Sequence, residues 1–289
     1  MSVKVHRRQR FTLYEGQVLD GLAQLPDNSV HCVVTSPPYW GLRDYQQDGQ
    51  IGLEATFAEF QQKMVDIFRE VRRVLRPDGT CFVNLGDTFV HGATGKTNNK
   101  KSLDGSGGNT AWKQSRSWST AMPGLKRKDM LCMPFRIAMA LQADGWWLRQ
   151  AIIWFKANPL PEAVKDRCIN AHEYVFLLAK SERYFFDVEA ITEPVSGTAH
   201  HRGHGVNKKA GRNSRFHVTQ DVQHADRNRP RERQNESFSG AVKDLVERRR
   251  KRSVWSVALE PSKEEHTAAF PRKLIRPAIR AGGVDIAQL

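Results

Sequence analysis

Apolar residues recur every three or four positions between Thr56 and Leu75 and predict a long amphipathic helix. These apolar positions are Phe57, Phe60, Met64, Ile67, Phe68, Val71 and Leu75. The sequence Arg76-Pro77-Asp78-Gly79 then predicts a break and a turn, because proline and glycine both interrupt a helix. Apolar residues resume over 80–85 and predict a buried strand.

Similar patterns repeat along the chain and predict alternating strands and helices. Strands are expected over 11–15, 31–36, 149–155 and 173–179, and helices over 129–143 and, despite Pro271 and Pro277, over 267–280. Such alternation is typical of an α/β layer fold. Residues 91–120 are rich in Gly, Asn, Ser and Lys without periodicity and predict a mobile loop. Within it, GATGKT matches a phosphate-binding loop only in part, so nucleotide hydrolysis is not indicated.

Length and composition favour a globular protein of the cytoplasm. The 289 residues are enough for one large domain, or for a core with an insert, and 39% of them are hydrophobic. The mean hydropathy is −0.57, no apolar run reaches membrane length, and the N-terminus lacks the apolar stretch of a secretory signal. The four widely spaced cysteines form no CxxC pair, so neither a zinc site nor a disulfide framework is predicted.

Positive charge is concentrated in one stretch. The formal charge is +14 and the isoelectric point is about 9.9, which predicts a polyanionic partner. Residues 200–252 hold fifteen Lys and Arg against six Asp and Glu, a net +9. Such a segment is either a solvated loop or an arm that orders on a phosphate backbone, and both interpretations stay open. His200, His201 and His204 are expected to belong to this polar loop and not to a metal site.

The most informative motif follows the strand predicted over 31–36. Apolar residues Cys32, Val33 and Val34 run into Ser36-Pro37-Pro38-Tyr39. Two prolines fix the backbone and supply no N–H, so nearby carbonyls are free to accept hydrogen bonds from another molecule. With a hydroxyl and an aromatic ring beside them, they suit a planar group that carries an exocyclic amine, such as cytosine or adenine. A plain strand that ends in a proline turn is the alternative.

Further blocks accompany this motif, over 13–40, 68–88, 146–181 with 184–187, and 266–282. As a set and in this order they resemble the amino-methyltransferases of DNA, which methylate cytosine N4 or adenine N6. The catalytic tetrapeptide comes first and the cofactor segment last, which is similar to the β arrangement of that family. The resemblance covers most of the chain outside about 90–125 and 195–252.

The resemblance implies an α/β, Rossmann-like methyltransferase fold that depends on S-adenosyl-L-methionine and carries a basic insert. It implies double-stranded DNA as the partner and four catalytic residues, Ser36, Pro37, Pro38 and Tyr39. It also implies cofactor contacts from Thr35, Phe270 and Pro271. Relatives often carry an acidic residue after the glycine that matches Gly16; here Gln17 stands in that position, and Asp20 is the nearest carboxylate and the expected contact. Serine in the first catalytic position, in place of Asp or Asn, favours cytosine N4, with adenine N6 as the alternative.

The expected chemistry follows from the weak nucleophilicity of an exocyclic amine, whose lone pair is delocalised into the ring. Hydrogen bonds from its N–H groups to Ser36 Oγ and to the Pro37 carbonyl would localise that lone pair. The base must leave the duplex to reach the pocket, and Tyr39 would stack on it there. The proton would leave after methyl transfer, so Ser36 need not act as a strong base.

Three neighbouring side chains are expected in supporting roles. Trp40 either assists base binding or is a core aromatic. Asn84 and Asp87 stand at the end of the strand predicted over 80–85, where a structural cap is expected.

The chain is expected to have three segments. Residues 1–194 form the catalytic core, 195–252 the variable insert that recognises DNA, and 253–289 the start of the cofactor-binding segment. The residues expected to contact DNA are Arg212, Arg215, Arg248, Arg249, Arg250, Lys251 and Arg252.

One block of the family is not found in the sequence. In the family, the Phe-Pro segment is followed by a strand and an Asp-Pro-Phe-x-Gly-x-Gly-like loop that holds the cofactor's methionine part, whereas 281–289 read AGGVDIAQL. We therefore expect a fold incomplete at its C-terminus, with an open apolar strand edge at 31–36. Two interpretations follow: an enzyme completed by a second chain that supplies the loop, and a truncated, inactive DNA-binding remnant.

Overall fold

A computed structural model describes residues 3–8, 11–42, 49–90, 122–194, 248–260 and 271–283. The chain divides into two compact units, one formed by 1–191 with 252–289 and the other by 192–251. The loop predicted over 91–120, the three histidines at 200–204 and most of the predicted insert lie outside the described residues. In the described part, no helix is long and apolar enough to cross a membrane.

The elements follow one another in an α/β order. The strands are β1 (Lys4–Arg7), β2 (Thr12–Glu15), β3 (Val30–Thr35), β4 (Leu75–Leu85), β5 (Trp147–Phe155), β6 (His172–Ala179), β7 (Glu193–Pro194), β8 (Arg248–Arg249) and β9 (Val254–Ser256). The helices are α1 (Val18–Leu22), α2 (Phe57–Val74), α3 (Met133–Ala143) and α4 (Arg272–Gly282), with a 3₁₀ turn at Glu189–Ile191. β1 pairs with β2 and β7 with β8, each as a small antiparallel ribbon.

The first unit is built on a five-stranded mixed sheet in the order β3-β4-β6-β5-β9. β3 is parallel to β4, β6 is antiparallel to both β4 and β5, and β9 is parallel to β5. Four strands therefore point the same way. Their carboxyl ends meet at one edge of the sheet, and β6 begins at that edge because it runs in the opposite direction.

Helices α2 and α3 cover one face of the sheet. The Thr56 side chain accepts a hydrogen bond from the Glu59 N–H, and the Glu59 carboxylate accepts one from the Thr56 N–H. This reciprocal cap fixes the start of α2 where the apolar spacing predicts a helix. Buried residues of α2, among them Phe60, Met64 and Phe68, pack in the larger apolar cluster of the unit.

Helix α4 covers the opposite face. Leu274 and Ala278 pack there with Phe82 of β4 and Val175 of β6 in a second apolar cluster. Neighbouring strand residues point to opposite faces, so the continuous apolar runs of β4 and β6 supply both clusters.

The strands predicted over 11–15, 31–36, 149–155 and 173–179 correspond to β2, β3, β5 and β6, and the helix predicted from Thr56 corresponds to α2. β4, however, begins earlier than predicted. Leu75 already pairs with Val30 of β3. The register then shifts, and Cys32 pairs with Thr80. Residues 76–79, expected as a turn, therefore form an irregularity within the strand and not a break.

Helix α3 begins at Met133 and not at the predicted 129. Met130 forms an isolated bridge with Phe89, and Cys132 has a left-handed φ of 53°. These pairings take the chain out of helical conformation until Met133, because a left-handed residue cannot continue a right-handed helix.

Helix α4 is described from Arg272, directly after Pro271, and it ends at Gly282 and not at the predicted Arg280. It passes through Pro277, which the sequence marks as unfavourable. An interior proline costs about 3 kcal/mol, and the burial of the apolar face of α4 against the sheet offsets this cost.

Gly282 lies where the end of α4 meets the sheet. A Cβ added there would lie 2.7 Å from Cys32 Sγ and would also overlap the Thr80 hydroxyl. We expect Gly282→Ala to lower the free energy of unfolding by about 1–3 kcal/mol, the usual cost of an extra methyl group in a packed core. Urea denaturation measures this change. Gly21→Ala is the control, because a Cβ at Gly21 makes an ordinary contact with Tyr14 Cβ at 3.8 Å; equal stability of the two variants would contradict this packing of α4.

Candidate active site

The four residues predicted to be catalytic lie at the edge of the sheet where β3, β4 and β5 end. Thr35 is the last residue of β3 and leads into 36–39, Gly86 follows β4, and Lys156 follows β5. Glu173 lies beside them because β6 begins at this edge. In open α/β sheets, ligands bind at the carboxyl ends of the parallel strands. This edge is therefore the candidate active site.

The Tyr39 hydroxyl is the centre of a hydrogen-bond network at this edge. It donates to Glu173 Oε2 at 2.7 Å and lies 3.2 Å from Asn84 Oδ1. Burial, followed by the negative charge of Glu173, raises the pKa of the Tyr39 phenol well above its usual value. The phenol is therefore neutral at physiological pH and donates to the carboxylate.

The carboxylate of Glu173 is held from its other side by Lys156. Lys156 Nζ lies 2.6 Å from Glu173 Oε1, and the two side chains are 19% and 15% exposed. The ammonium also lies 5.0 Å from the centre of the Trp154 ring. A charge pair shielded in this way is stable only while both partners are present. Lys156 therefore keeps the second carboxylate oxygen turned toward Tyr39.

Gly86 leaves the space into which Tyr39 packs. A Cβ at this position would lie 2.8 Å from Tyr39 Cε2 and 3.2 Å from Glu173 Cδ. The backbone N–H of Gly86 also donates to the Tyr39 hydroxyl. Close approach to the tyrosine ring is thus the reason for glycine at this position.

Ser36 joins the same network. Its Oγ donates to the Tyr39 hydroxyl across 3.4 Å, a long contact of the kind that active sites show before substrate binds. Pro37 and Pro38 lie between these two residues and are partly buried. The structure thus brings the predicted catalytic residues into one turn. Their chemical roles, including the stacking of Tyr39 on a base, stay predictions.

Two neighbouring residues have structural roles. Trp40 is 1% exposed and donates its Nε1–H to the Glu54 carbonyl at 3.1 Å, so it is a core aromatic, which is one of its two predicted roles. Asp87 Oδ1 accepts hydrogen bonds from the backbone N–H of Thr88 and of Met133, the first residue of α3. Asp87 therefore has a structural role, since it joins the end of β4 to the start of α3, and burial raises its pKa above the usual value.

The predicted cofactor residues are brought together in part. A cavity of about 10 Å³ between the sheet and α4 is lined by Val34, Thr35, Phe82, Asn84, Val175, Leu274, Ile275 and Ala278. Thr35 therefore lies close to the first turn of α4, which directly follows Pro271. Phe270 lies outside the described residues, and Asp20 lies on α1, which packs against α2.

The lining of this cavity is compatible with the cofactor contact predicted for Thr35. The lining is apolar apart from Thr35 and Asn84, which suits a flat ring with a few hydrogen-bonding groups. The cavity has room for about one water molecule, so a nucleoside would lie across its mouth and not inside it. The residues that line it carry no charge.

Two of the residues predicted to bind DNA hold the β7–β8 ribbon of the second unit together. Arg249 Nε lies 3.0 Å from Glu193 Oε1, and Arg248 donates to the hydroxyl and the carbonyl of Thr192 at 2.7 and 2.5 Å. Arg250 is exposed. The other four residues of the set are Lys251, which is partly buried, Arg252, which is exposed, and Arg212 and Arg215, which lie outside the described residues.

Three residues of the site were not predicted from the sequence: Glu173, Lys156 and Gly86. Glu173 stands at the head of the apolar run 174–179, and Lys156 directly follows the apolar strand over 149–155. A charged residue at the boundary of a buried strand needs a partner, which is a signal that both positions carry. The contact of Glu173 with Tyr39 spans 134 residues of sequence, a separation that local patterns do not reveal.

Comparison with known proteins identifies the family. The profile of the DNA methylase family matches residues 30–283. This chain belongs to the DNA methylase family. It is 39% identical to the type II methyltransferase M.Cfr9I of Citrobacter freundii over 284 residues, which are 96% of this chain and 76% of that protein. It is 40% identical to the type II methyltransferase M.XycI of Xanthomonas campestris pv. cyanopsidis, over 93% of this chain and 72% of that protein.

A solved structure agrees at the level of the fold. The PvuII DNA methyltransferase, named as cytosine-N4-specific, aligns with 94% of this chain and 70% of its own, with a TM-score of 0.51 and 15% identity. The chain therefore has the methyltransferase fold that the resemblance implies. As a member of the family it is a DNA amino-methyltransferase by resemblance, with S-adenosylmethionine as its methyl donor.

Gly86→Ala tests how the Tyr39 hydroxyl is held. The added Cβ would displace the ring and release the hydroxyl from Glu173, so we expect the raised pKa of Tyr39 to fall toward the ordinary value for tyrosine. More phenolate should then form just above pH 10 than in the unchanged chain, as measured by ultraviolet absorbance. Tyr39→Phe lacks this phenol, so the difference between its titration and that of the unchanged chain gives the contribution of Tyr39 to the absorbance. Identical titrations of Gly86→Ala and the unchanged chain would contradict the close packing at Gly86.

Proposed function

We propose that this chain transfers the methyl group of S-adenosylmethionine to the exocyclic amine of a base flipped out of double-stranded DNA. Cytosine N4 is the favoured acceptor, since serine stands in the first position of the motif, and adenine N6 is the alternative. The observation that carries the proposal is the turn Ser36–Tyr39, anchored at the carboxyl edge of the sheet by the 2.7 Å hydrogen bond from Tyr39 to Glu173.

The turn would act by orienting and polarising the amine. Ser36 Oγ and the Pro37 carbonyl would accept its two N–H groups, which draws the nitrogen toward tetrahedral geometry and localises its lone pair. A group held in place before the reaction lowers the barrier without reorganisation cost. After methyl transfer the nitrogen is acidic and releases a proton, so the turn need not contain a strong base.

The target base must leave the duplex, because its amine is buried in the stack and cannot reach the turn. The Tyr39 ring would support the flipped base by stacking. Its anchored hydroxyl favours this role, because a ring fixed at one end loses little freedom when a base binds.

S-adenosylmethionine supplies an electrophilic methyl group when it is bound. Thr35 and the segment Phe270-Pro271 would contact it where α4 begins, at the mouth of the small cavity. Asp20 stays a proposed contact on the basis of the family resemblance alone.

The outer edge of β3 is the proposed place for the glycine-rich cofactor loop. β3 is the first strand of the sheet order, and the described residues include no strand on its outer side. A parallel strand that paired there would end beside Thr35, next to the candidate site. Whether this polypeptide or a second chain carries that segment, its absence would leave a DNA-binding protein without activity, which is the competing interpretation.

The proposed setting is the cytoplasm. Its reducing conditions suit four cysteines that are free in the structure.

Ser36→Ala removes the proposed hydroxyl acceptor and leaves the backbone turn unchanged. Loss of one oriented polar group in an active site costs about 100-fold in turnover. We therefore expect methyl transfer from labelled S-adenosylmethionine to DNA to fall by this factor, while calorimetry shows unchanged cofactor affinity. Ser29→Ala is the matched control, because the Ser29 hydroxyl donates to the Pro26 carbonyl in an exposed segment away from the site.

Mass spectrometry of the digested product identifies the methylated base. N4-methylcytosine supports the favoured acceptor, and N6-methyladenine would select the alternative. Full activity of Ser36→Ala would refute the role of the turn. DNA binding without any methyl transfer by the unchanged chain would favour the inactive DNA-binding protein.

Arg212 and Arg215 are proposed to neutralise DNA phosphates. Replacing both with glutamine should reduce the slope of log affinity against log salt concentration by about 2, since each neutralised phosphate contributes about 0.9. Fluorescence anisotropy with a labelled duplex over a range of salt concentrations measures the slope. Arg69→Gln is the control. Arg69 lies on α2, and its guanidinium is already paired with the Asp144 carboxylate at 2.6 Å. An unchanged slope in the double variant would assign the phosphate contacts to other residues.

A further inference from the structure

The hydrogen bonds around Tyr39 have a direction that their partners fix. Lys156 Nζ, which can only donate, occupies Glu173 Oε1 at 2.6 Å, and the Tyr39 hydroxyl contacts Glu173 Oε2 at 2.7 Å. A carboxylate oxygen accepts, so the single hydrogen of the Tyr39 hydroxyl is directed to this side. Asn84 Oδ1, 3.2 Å from the same hydroxyl, is also an acceptor, and Asn84 Nδ2 donates to the Tyr174 carbonyl.

Because the Tyr39 hydroxyl donates its hydrogen to Glu173, its oxygen can only accept hydrogen bonds from its donor neighbours. It accepts from the Gly86 N–H and, across 3.4 Å, from Ser36 Oγ. The one hydrogen of the Ser36 hydroxyl is then directed at Tyr39. The lone pairs of Ser36 Oγ are thereby directed to whatever binds next to the turn.

We propose that Glu173 is a positioning residue that holds Ser36 as a hydrogen-bond acceptor for the substrate amine, acting through the Tyr39 hydroxyl. The inference rests on the proposed function, because this polarity benefits a substrate that brings N–H groups. An exocyclic amine donates, whereas the oxo group of uracil or thymine accepts. The arrangement therefore favours an amino base and disfavours an oxo base at the same position.

Glu173→Gln is the decisive variant because Lys156 dictates how the new amide is turned. The ammonium donates, so the amide oxygen faces Lys156 and the amide NH2 faces Tyr39. Tyr39 must then accept from the amide and donate either to Asn84 Oδ1 at 3.2 Å or to Ser36 Oγ at 3.4 Å. In an Asn84→Ala background only Ser36 is left as the acceptor, and the direction of the whole set reverses. Ser36 would present its hydrogen, and not its lone pairs, to the substrate amine.

The expected kinetics follow from this reversal. Relative to Asn84→Ala alone, Glu173→Gln in that background should lower turnover about 100-fold, and Tyr39→Phe, which leaves Ser36 free to rotate, about 10-fold. When Glu173→Gln and Tyr39→Phe are combined in the same background, no hydroxyl transmits the reversed direction, so turnover should match that of Tyr39→Phe. If Glu173 had a merely structural role, the two losses would multiply to about 1,000-fold, and that result would overturn the proposal.

Two controls separate the effect of a changed hydrogen-bond direction from the effect of a loss of folded protein. Glu70→Gln makes the same chemical change in an ion pair with Arg73 on α2, at 2.8 Å, and should leave turnover unchanged. Thermal denaturation of every variant shows whether it is folded, and S-adenosylmethionine affinity should stay within about twofold of the unchanged chain.

Neutron diffraction from deuterium-exchanged crystals of the unchanged chain tests the direction without any methyl transfer. The Tyr39 deuteron should lie on the line to Glu173, and the Ser36 deuteron on the line to Tyr39. A Tyr39 deuteron directed at Asn84 or at Ser36 would overturn the proposal. If the deuterons lie as expected while the chain methylates no DNA, the proposed function fails and the fixed polarity stands.

Discussion

One partly buried carboxylate, that of Glu173, connects the strand ends that form the candidate site. It lies on β6, accepts from Tyr39 in the turn after β3 at 2.7 Å, and is paired with Lys156 after β5 at 2.6 Å. Hydrogen bonds to charged groups contribute about 1.5–3 kcal/mol each, more than most contacts available to a turn at the edge of a sheet. These contacts hold the proline-rich turn 36–39 in one position.

In the proposed function, the site of catalysis and the segment that binds DNA are separate parts of the chain. Lys156 and Glu173 balance each other, so the hydrogen-bond network carries no excess of positive charge with which to attract DNA. Most of the excess lies in 200–252, which holds +9 of the formal +14. Long-range attraction to phosphates falls off with salt, whereas a buried pair is screened much less. We therefore expect salt to weaken DNA affinity more than it disturbs the geometry around Ser36.

Much of the fold could be predicted from the sequence because its elements are strongly periodic. The apolar spacing of α2 and the apolar runs of β5 and β6 depend on local residues. Boundaries depended on distant partners: β4 starts at Leu75 because Val30 pairs with it, and α3 starts late because Met130 bridges Phe89. The tetrapeptide Ser36–Tyr39, the proposed catalytic turn, could be found because its chemistry would lie in consecutive residues. Glu173 could not, because its role arises only when β6 is placed between β4 and β5.

A crystal structure of the chain bound to S-adenosylmethionine and a DNA duplex that contains its target base would test the central claim most directly. The claim is that the turn held by Glu173 receives the amine of a flipped base. The exocyclic nitrogen should lie about 3 Å from both Ser36 Oγ and the Pro37 carbonyl oxygen, with the Tyr39 hydroxyl still on Glu173. A target base bound elsewhere, or a Tyr39 hydroxyl that leaves Glu173 to contact the base, would contradict it.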